Sequence, residues 1–273
     1  MSEIATAERA AQLRQELNEH SYRYHVLSET IISDSEYDRL YHELRRIEEE
    51  HPELITSDSP TQRAGYEPIS DLPKVTHVRP ILSLGNAMSA QDIRTWYERI
   101  QKLLAEGAKP DFVVEPKFDG LTIVLTYENG LLIQGATRGN GITGDDVTPN
   151  VRTIGTIPLR IPVVGDEPKP PARLIVRGEI LFLKDAFEKL NQQQREAGLP
   201  LYVNARNTAS GSLKQKDPRM TAGRDLTAFI YGIVDARGEI PATQWGTLEF
   251  LRDLGFLLAE ESTHFDDIED VIE

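Results

Sequence analysis

The first group of residues able to do chemistry is the hexapeptide Glu115–Gly120 (EPKFDG). Alternation along a strand predicts that Val113, Glu115 and Lys117 lie on one face. A lysine and a carboxylate on one face could hold a nucleotide when the turn that follows lets the backbone approach closely. A surface lysine leading into an Asp-Gly turn has the same pattern, so this motif alone does not establish a nucleotide site.

Two further motifs follow the first along the chain. Residues Thr137–Gly141 (TRGNG), followed by a Gly-Asp-Asp triplet, place Arg138 in a turn, where its planar guanidinium can bind phosphate or ribose oxygens. In the apolar run Leu174–Leu183, Arg177 and Glu179 lie on one face. The alternatives are a tight turn with a solvated arginine and a structural salt bridge. Buried charges are costly unless they are paired or bound to a ligand, which favours a ligand site.

Short strands position these motifs. Runs of β-branched and aromatic residues predict strands at residues 111–117, 121–127, 131–137, 172–184 and 225–235. Asn129-Gly130 joins the second and third strands and is typical of a tight hairpin. Helical patterns cover residues 184–197 and 243–254. Hairpins with irregularly placed helices indicate an α+β fold with antiparallel sheets.

The first 52 residues predict helices. Leu13 and Leu17 begin one apolar stripe, and a stronger stripe has helical spacing: Tyr37, Leu40, Tyr41, Leu44 and Ile47. Ser33 and Glu36 have capping-box spacing before it. Residues 51–80 are rich in Pro, Ser, Thr and Gly and predict a linker or extended arm. A further helix begins after Ser89, and its predicted buried face consists of Ile93, Trp96, Tyr97, Ile100 and Leu103.

Composition limits the possible functions. The chain has 273 residues and no cysteine, which excludes disulfides and thiolate metal sites. The start of the chain lacks the pattern of a secretory signal and no apolar run is long enough to span a bilayer, so we expect a cytoplasmic protein without membrane contact. The net charge of −14 argues against a surface that grips nucleic acid tightly, although it does not argue against binding a small nucleotide.

Taken together, the motifs resemble the first nucleotidyltransferase motifs of DNA ligases and capping enzymes. Further segments narrow the resemblance to the bacterial NAD-dependent DNA ligases, over nearly the whole chain. These segments are Tyr24-His25, Asp34–Asp38 (DSEYD), Pro80–Asn86 (PILSLGN), Ala136–Gly141 (ATRGNG), Asn204–Asn207 (NARN) and Gly211–Lys214 (GSLK). The family usually has proline where Ser33 stands and often leucine where Phe118 stands.

The resemblance implies a small helical domain that binds the nicotinamide mononucleotide half of NAD (residues 1–70, with the linker). A nucleotidyltransferase domain with antiparallel sheets follows (residues 71–273). Lys117 would be the catalytic nucleophile, and no residue is assigned to a metal. The implied cofactor-binding residues are Tyr24, His25, Asp34, Tyr37, Asp38, Ser83, Leu84, Glu115, Arg138, Glu179 and Tyr231. Arg206 and Lys214 would face either the DNA backbone or solvent.

The implied reaction is adenylation of the lysine by NAD with release of nicotinamide mononucleotide, as the first step in sealing nicks in duplex DNA. The attacking amine has to be neutral, so partial burial, nearby cations or Mg²⁺ would favour that form. We expect NAD and Mg²⁺ as cofactors, nicked duplex DNA as a partner of the full-length enzyme, and a monomer. The family's adenylation domain continues past residue 273 with two lysines that contact the nucleotide phosphate, and its zinc module needs cysteines. The resemblance therefore implies a truncated chain that does not seal nicks alone and whose self-adenylation is weak or absent.

Two other functions are compatible with parts of the pattern. An ATP-dependent ligase or capping-type nucleotidyltransferase shares the central motifs but lacks the N-terminal signature. A non-catalytic adaptor could keep the fold and bind partners through an acidic helical face. Intact Lys117, Asp119 and Glu179 argue against such a loss of activity.

Overall fold

The N-terminal part of the structure is a pair of helices. The computed structural model describes residues 3–27, 29, 31–63 and 72–273, beginning with α1 (Glu3–His25) and α2 (Asp34–Glu50). The facing stripes of the two helices form one buried cluster: Ala10, Leu13, Leu17, Leu40, Leu44 and Ile47. Ser33 caps α2, its Oγ accepting a hydrogen bond from the Glu36 N–H at 3.3 Å. The helical prediction for this part is confirmed.

The remaining elements follow in chain order. They are β1 (Lys74–Thr76), α3 (Ala90–Gln101), β2 (Phe112–Val114), β3 (Leu121–Glu128), β4 (Leu131–Thr137), β5 (Thr143–Asp145), α4 (Thr148–Val151), β6 (Arg173–Leu181), α5 (Lys184–Glu196), α6 (Ala205–Leu213), α7 (Pro218–Ala222), β7 (Thr227–Arg237), α8 (Gln244–Asp253), β8 (Thr263–Phe265) and α9 (Ile268–Ile272). The fold is α+β, as predicted. Among the described residues, no helix combines the length and apolarity needed to cross a membrane.

A four-stranded antiparallel sheet in the order β4-β3-β6-β7 forms the centre of the fold. Asn129 and Gly130 both have positive φ (47° and 78°), as a tight turn between antiparallel strands requires. One sheet face packs into the main apolar cluster through alternate residues such as Ile123, Leu125 and Tyr127. Because side chains alternate, the residues between them point to the opposite face, and this face carries the polar motifs.

The predicted linker is partly folded. Residues 64–71 lie outside the described part of the chain, but residues 52–63 contain two 3₁₀ turns, and Asp58 and Ser59 are buried. Arg160 Nε donates to Asp58 Oδ2 at 2.6 Å, and Arg63 Nη1 donates to the carbonyls of Arg152 and Ile154 at 3.0 and 3.2 Å. The linker prediction is wrong for residues 52–63. Arg160 bonds to this polar segment, Arg63 extends from it, and their hydrogen bonds hold the segment against the rest of the chain.

Helix α3 begins where it was predicted, but its side chains are less buried than predicted. Ser89 Oγ accepts from the Asp92 N–H at 3.2 Å, which confirms the cap. No residue of α3 is buried, Trp96 is 40% exposed, and Leu103 lies beyond the helix and is 82% exposed. The prediction holds in part: Ile93, Tyr97 and Ile100 are half-buried. Their side of the helix packs against small elements, which include helix α9 and Phe112 of β2, whose ring centroid lies 5.6 Å from that of Tyr97.

Candidate active site

The segment that carries Lys117 is a turn outside the strands. Strand β2 ends at Val114, and residues 115–119 have no regular secondary structure. Strand alternation therefore does not apply to Glu115 and Lys117, and the predicted shared face is wrong at this point. Glu115 is partly buried, whereas Lys117 is exposed. Of the three causes named above that could favour the neutral amine, partial burial is therefore not found, and nearby cations or Mg²⁺ remain.

Two packing contacts fix this turn on the sheet. The Phe118 ring stacks on the Phe229 ring of β7, with centroids 4.3 Å apart and planes 19° from parallel. Gly120 is buried, and a Cβ at this position would lie 2.2 Å from the carbonyl oxygen of Ile180. Only glycine fits so close to β6. The two contacts hold the backbone on the C-terminal side of Lys117.

The strand register of the sheet places the motif of Arg177 and Glu179 beside the segment that carries Lys117. Thr122 of β3 pairs with Glu179 of β6, which is 8% exposed. Desolvation raises the pKa of Glu179, opposed by hydrogen bonds from Thr122 and the Gly120 backbone and by the positive charges of Arg206 and Lys117. The lysine thus lies within electrostatic reach of this buried carboxyl group, and Arg206 is a cation near both.

Tyr231 and Arg177 lie beside Glu179. Arg177 Cζ is 5.5 Å from the centroid of the Tyr231 ring, a distance typical of a cation–π contact. Burial raises the pKa of Tyr231, and the charge of Glu179 raises it further. Arg177 Nε is buried and has no hydrogen-bond partner among the described residues. Tyr231 thus offers a ring surface next to charged groups, an arrangement suited to stacking a nucleobase.

Glu115 is connected to Tyr231 through a residue that the sequence motifs did not indicate. Gln244, at the start of α8, donates from Nε2 to Glu115 Oε1 at 2.7 Å and to the Tyr231 carbonyl at 3.0 Å. Burial raises the pKa of Glu115, while Gln244 and Arg177 oppose the shift. Gln244 is 129 positions from Glu115. No local pattern links two residues at that separation, so the sequence analysis missed it.

The Arg138 turn borders the site on the β4 side. The Arg138 N–H donates to the Thr122 carbonyl at 3.1 Å, its Nε to the Ile81 carbonyl at 3.1 Å, and its Nη2 to Ser83 Oγ at 2.8 Å. Arg138 therefore brings Ser83 to the site, and the neighbouring Leu84 is 74% exposed. Of the predicted adenosine-binding residues, the structure brings Glu115, Arg138, Glu179 and Tyr231 together around the start of β3.

Two cations of the α6 region pair with acidic residues of the motif loops. Arg206 Nη1 lies 3.2 Å from Asp119 Oδ1, and Lys214 Nζ lies 2.9 Å from Asp145 Oδ2. Lys74 also forms an ion pair with Asp145. Neither Arg206 nor Lys214 is simply solvated, and each connects the α6 region to a loop of the candidate site.

The N-terminal signature residues lie in a different place. Tyr24 and Tyr37 line a cleft of about 740 Å³ between the helical pair and the remainder of the chain, opposite Arg63, Lys189 and Arg224. None of the described residues around Lys117 lines this cleft. Asp38 is exposed on α2, and the side chains of His25 and Asp34 lie outside the described part of the structure.

Comparison with known proteins identifies the family. Residues 69–273 match the family model of the NAD-dependent DNA ligase adenylation domain. The chain belongs to the NAD-dependent DNA ligase family. Residues 3–65 match a second family model, the DNA ligase-like N-terminal NAD⁺-binding domain. The family resemblance seen in the motifs is confirmed.

Several curated relatives are named DNA ligase. The protein of Roseiflexus castenholzii is 48% identical over 271 residues, covering 97% of this chain and 38% of the relative. The proteins of Chloroflexus aurantiacus and Carboxydothermus hydrogenoformans are each 46% identical, covering 100% of this chain and 39% and 40% of the relatives. The chain thus spans about two fifths of the length of these relatives.

Proposed function

We propose that Lys117 accepts the adenylyl group of NAD. Its neutral Nζ attacks the α-phosphorus, the phosphorus–oxygen bond to nicotinamide mononucleotide breaks, and AMP stays on the lysine as a phosphoramidate. In a full-length ligase this AMP would pass to the 5′-phosphate of nicked duplex DNA, and the 3′-hydroxyl would displace it to seal the nick. Catalysis in such a site consists mainly of positioning and of neutralising phosphate charge.

One observation carries the proposal: the exposed Lys117 lies within electrostatic reach of Glu179, in a group of residues to which all three motifs contribute. Register puts Glu179 opposite Thr122, and Arg138 bonds to the same Thr122. Tyr231 completes the group from the adjacent strand. Family membership supports this arrangement as a nucleotide site and favours NAD over ATP as the donor.

Each of these residues has a role suited to its chemistry. The Tyr231 ring, with Arg177 against it, offers a surface on which adenine stacks. Arg138 and Glu179 can bind ribose hydroxyls and phosphate oxygens, and the Ser83-Leu84 segment closes the edge of the site. Exposure of Lys117 leaves its amine open to the α-phosphorus.

The nicotinamide mononucleotide half belongs to the helical pair in this proposal. Tyr24 and Tyr37 offer ring surfaces in the cleft, and the exposed Lys189 lines it with a positive charge for phosphate. His25, Asp34 and Asp38 are assigned to the same half by the family signature alone. The boundary between the two domains stays a prediction, because residues 64–71 lie outside the described part of the chain.

Mg²⁺ is also part of the proposal. The described residues contain no group of three or more His, Asp or Glu side chains suited to a metal ion. Magnesium at phosphates commonly needs only one or two carboxylates besides the substrate's oxygens. Glu179 and Asp119 fit that requirement, and the ion would supply positive charge next to the phosphates. DNA as a partner, a monomeric state and a cytoplasmic location remain predictions.

Intact-mass measurement after incubation with NAD tests the function. We expect any AMP that the chain gains, however slowly, to come from NAD and not from ATP. Lys117→Ala and Lys117→Arg should gain none, because neither variant offers a neutral amine. The exposed Lys102 serves as the matched control, and Lys102→Ala should behave as the unmodified chain. AMP on Lys117→Ala would refute the assignment, and transfer from ATP would favour an ATP-dependent enzyme.

A further inference from the structure

Gln244 connects two parts of the candidate adenosine site. Its amide nitrogen donates to Glu115 Oε1 at 2.7 Å and to the main-chain carbonyl of Tyr231 at 3.0 Å. A side-chain amide nitrogen has two protons, so both of its donor positions are used. Glu115 precedes β3, and Tyr231 belongs to β7. The bridge therefore fixes the separation between the carboxylate and the strand that carries the ring.

Helix α8 gives Gln244 a firm base. The cap residue Thr243 accepts from the Gly246 N–H through its Oγ1 at 3.1 Å, and Thr247 Oγ1 donates to the Thr243 carbonyl at 2.9 Å. Leu248 and Leu251 of the same helix are buried in the main core. Gln244 itself is exposed, yet it extends from a helix that is held at its cap and on its buried face.

The bridge determines which hydrogen bonds Glu115 can make with a base. Oε1 accepts from Gln244, and Oε2 has no hydrogen bond from the described residues, which leaves Oε2 as the acceptor open to a ligand. An ionised carboxylate only accepts hydrogen bonds. A purine with an amino group at its 6-position can donate to it. A purine with a 6-oxo group would place a second acceptor against it and leave both unpaired, which is unfavourable.

We propose that Gln244 is a positioning residue that holds the Glu115 carboxylate beside Tyr231 and so sets a preference for 6-amino over 6-oxo purines. This inference rests on the proposed function, because it assumes that the purine of NAD lies at this site. No motif identified in the sequence contains Gln244.

Protonation of Glu115 gives a second, independent readout. Burial raises the pKa of this carboxyl group, and the hydrogen bond from Gln244 and the charge of Arg177 lower it. Removing the amide removes a lowering contribution, so the pKa rises further. A protonated Glu115 can donate to a 6-oxo purine, and the preference for the 6-amino purine should then disappear at a higher pH than in the unmodified chain. The other titratable groups here are Tyr231, whose raised pKa keeps it neutral between pH 4 and 8, and Glu179, whose pKa burial also raises. Glu179 is present in every variant, so the difference between the pH profiles of the variants and the unmodified chain reports on Glu115.

The test measures dissociation constants of the intact chain for NAD and for its hypoxanthine analogue by calorimetry, across pH 4 to 8. We expect Gln244→Ala to reduce the NAD-to-analogue preference about fivefold to tenfold, the effect of one hydrogen bond of about 1 to 1.4 kcal/mol. The pH at which the preference is lost should rise. Gln244→Met, which keeps the side-chain length without the amide, should have both effects. It tests the positioning role if the alanine variant unfolds.

The matched control is Gln192, an exposed glutamine that donates to Glu196 Oε1 at 2.7 Å on α5. Gln192→Ala should leave the preference and its pH profile unchanged. If the unmodified chain prefers NAD but both Gln244 variants keep the same preference and profile, the positioning role is overturned while the proposed function stands. If the unmodified chain does not bind NAD, the proposed function is overturned, and the inference with it.

Discussion

Gly120→Ala tests whether the close approach of the turn to β6 positions Lys117. The new Cβ would lie 2.2 Å from the Ile180 carbonyl oxygen, 2.9 Å from its carbon and 3.0 Å from Leu181 Cβ. An ordinary contact begins at 3.4 Å, so the turn has to move by about 1 Å away from β6. A displacement of that size in a reacting group can cost about 100-fold in rate. Overpacking of this kind destabilises by about 1 to 3 kcal/mol, which lowers Tm by about 2 to 10 °C in a domain of this size.

Two measurements separate the effect on rate from the effect on folding. The rate of AMP addition, followed by intact mass at saturating NAD, should fall about 100-fold, and a thermal melt should show that the variant is folded at the assay temperature. Gly211 of α6 is the matched control, because a Cβ there meets no atom within 4 Å. Gly211→Ala should keep its rate and lose no stability. A Gly120→Ala rate within about threefold of the unmodified chain, well short of that loss, would refute the argument that this contact positions the lysine.

Other predictions address the anchor of the turn, the salt bridges and the second half of the substrate. Phe118→Ala should slow AMP addition and cost about 0.5 to 1.5 kcal/mol beyond the loss of buried area, measured by denaturant unfolding. Phe118→Leu should restore most of the buried area and of the rate but not this ring-pair contribution. Hydrogen bonds from Lys74 and then Lys214 lower the pKa of Asp145, so its contribution to stability is present above the ordinary carboxyl pKa of about 3.9 and is lost as pH falls. The stability difference between the unmodified chain and Asp145→Asn should therefore shrink below about pH 4, and a difference that grows in acid would contradict this assignment. Tyr24→Ala should weaken binding of nicotinamide mononucleotide about tenfold without changing AMP affinity, and equal calorimetric affinities for the mononucleotide would rule out the role of this ring.

The elements that sequence predicted well are those fixed by local chemistry. Asn129-Gly130 favours positive φ and defines the β3–β4 hairpin, and the helical stripes through Leu13 and Leu44 define the N-terminal pair. The motif residues were identified as a set because they resemble a known family. Their convergence at one end of the sheet follows from strand register, which the sequence did not reveal.

The wrong predictions came from contacts between distant parts of the chain. Strand alternation was extended through Lys117, but β2 ends at Val114 because its partner β8 is also only three residues long. Residues 52–63 have the composition of a linker, yet they are hydrogen-bonded to arginines about 90 to 100 positions away in the sequence. Gln244 was missed for the same reason, since its role depends on Glu115, far away in sequence.

The order of strands in the central sheet links ligand binding to folding. The hairpin of β3 and β4 is local, but Glu179 and Tyr231 join the site only after β6 and β7 have paired with it across long stretches of chain. A partly folded chain therefore lacks the complete candidate site, so NAD held there would bind the native state alone. Such binding at 100 times the dissociation constant adds about 2.7 kcal/mol to the free energy of unfolding. Saturating NAD should thus offset a mild destabilising substitution at a buried position such as Leu174, so that the variant with NAD is about as stable as the unmodified chain without it.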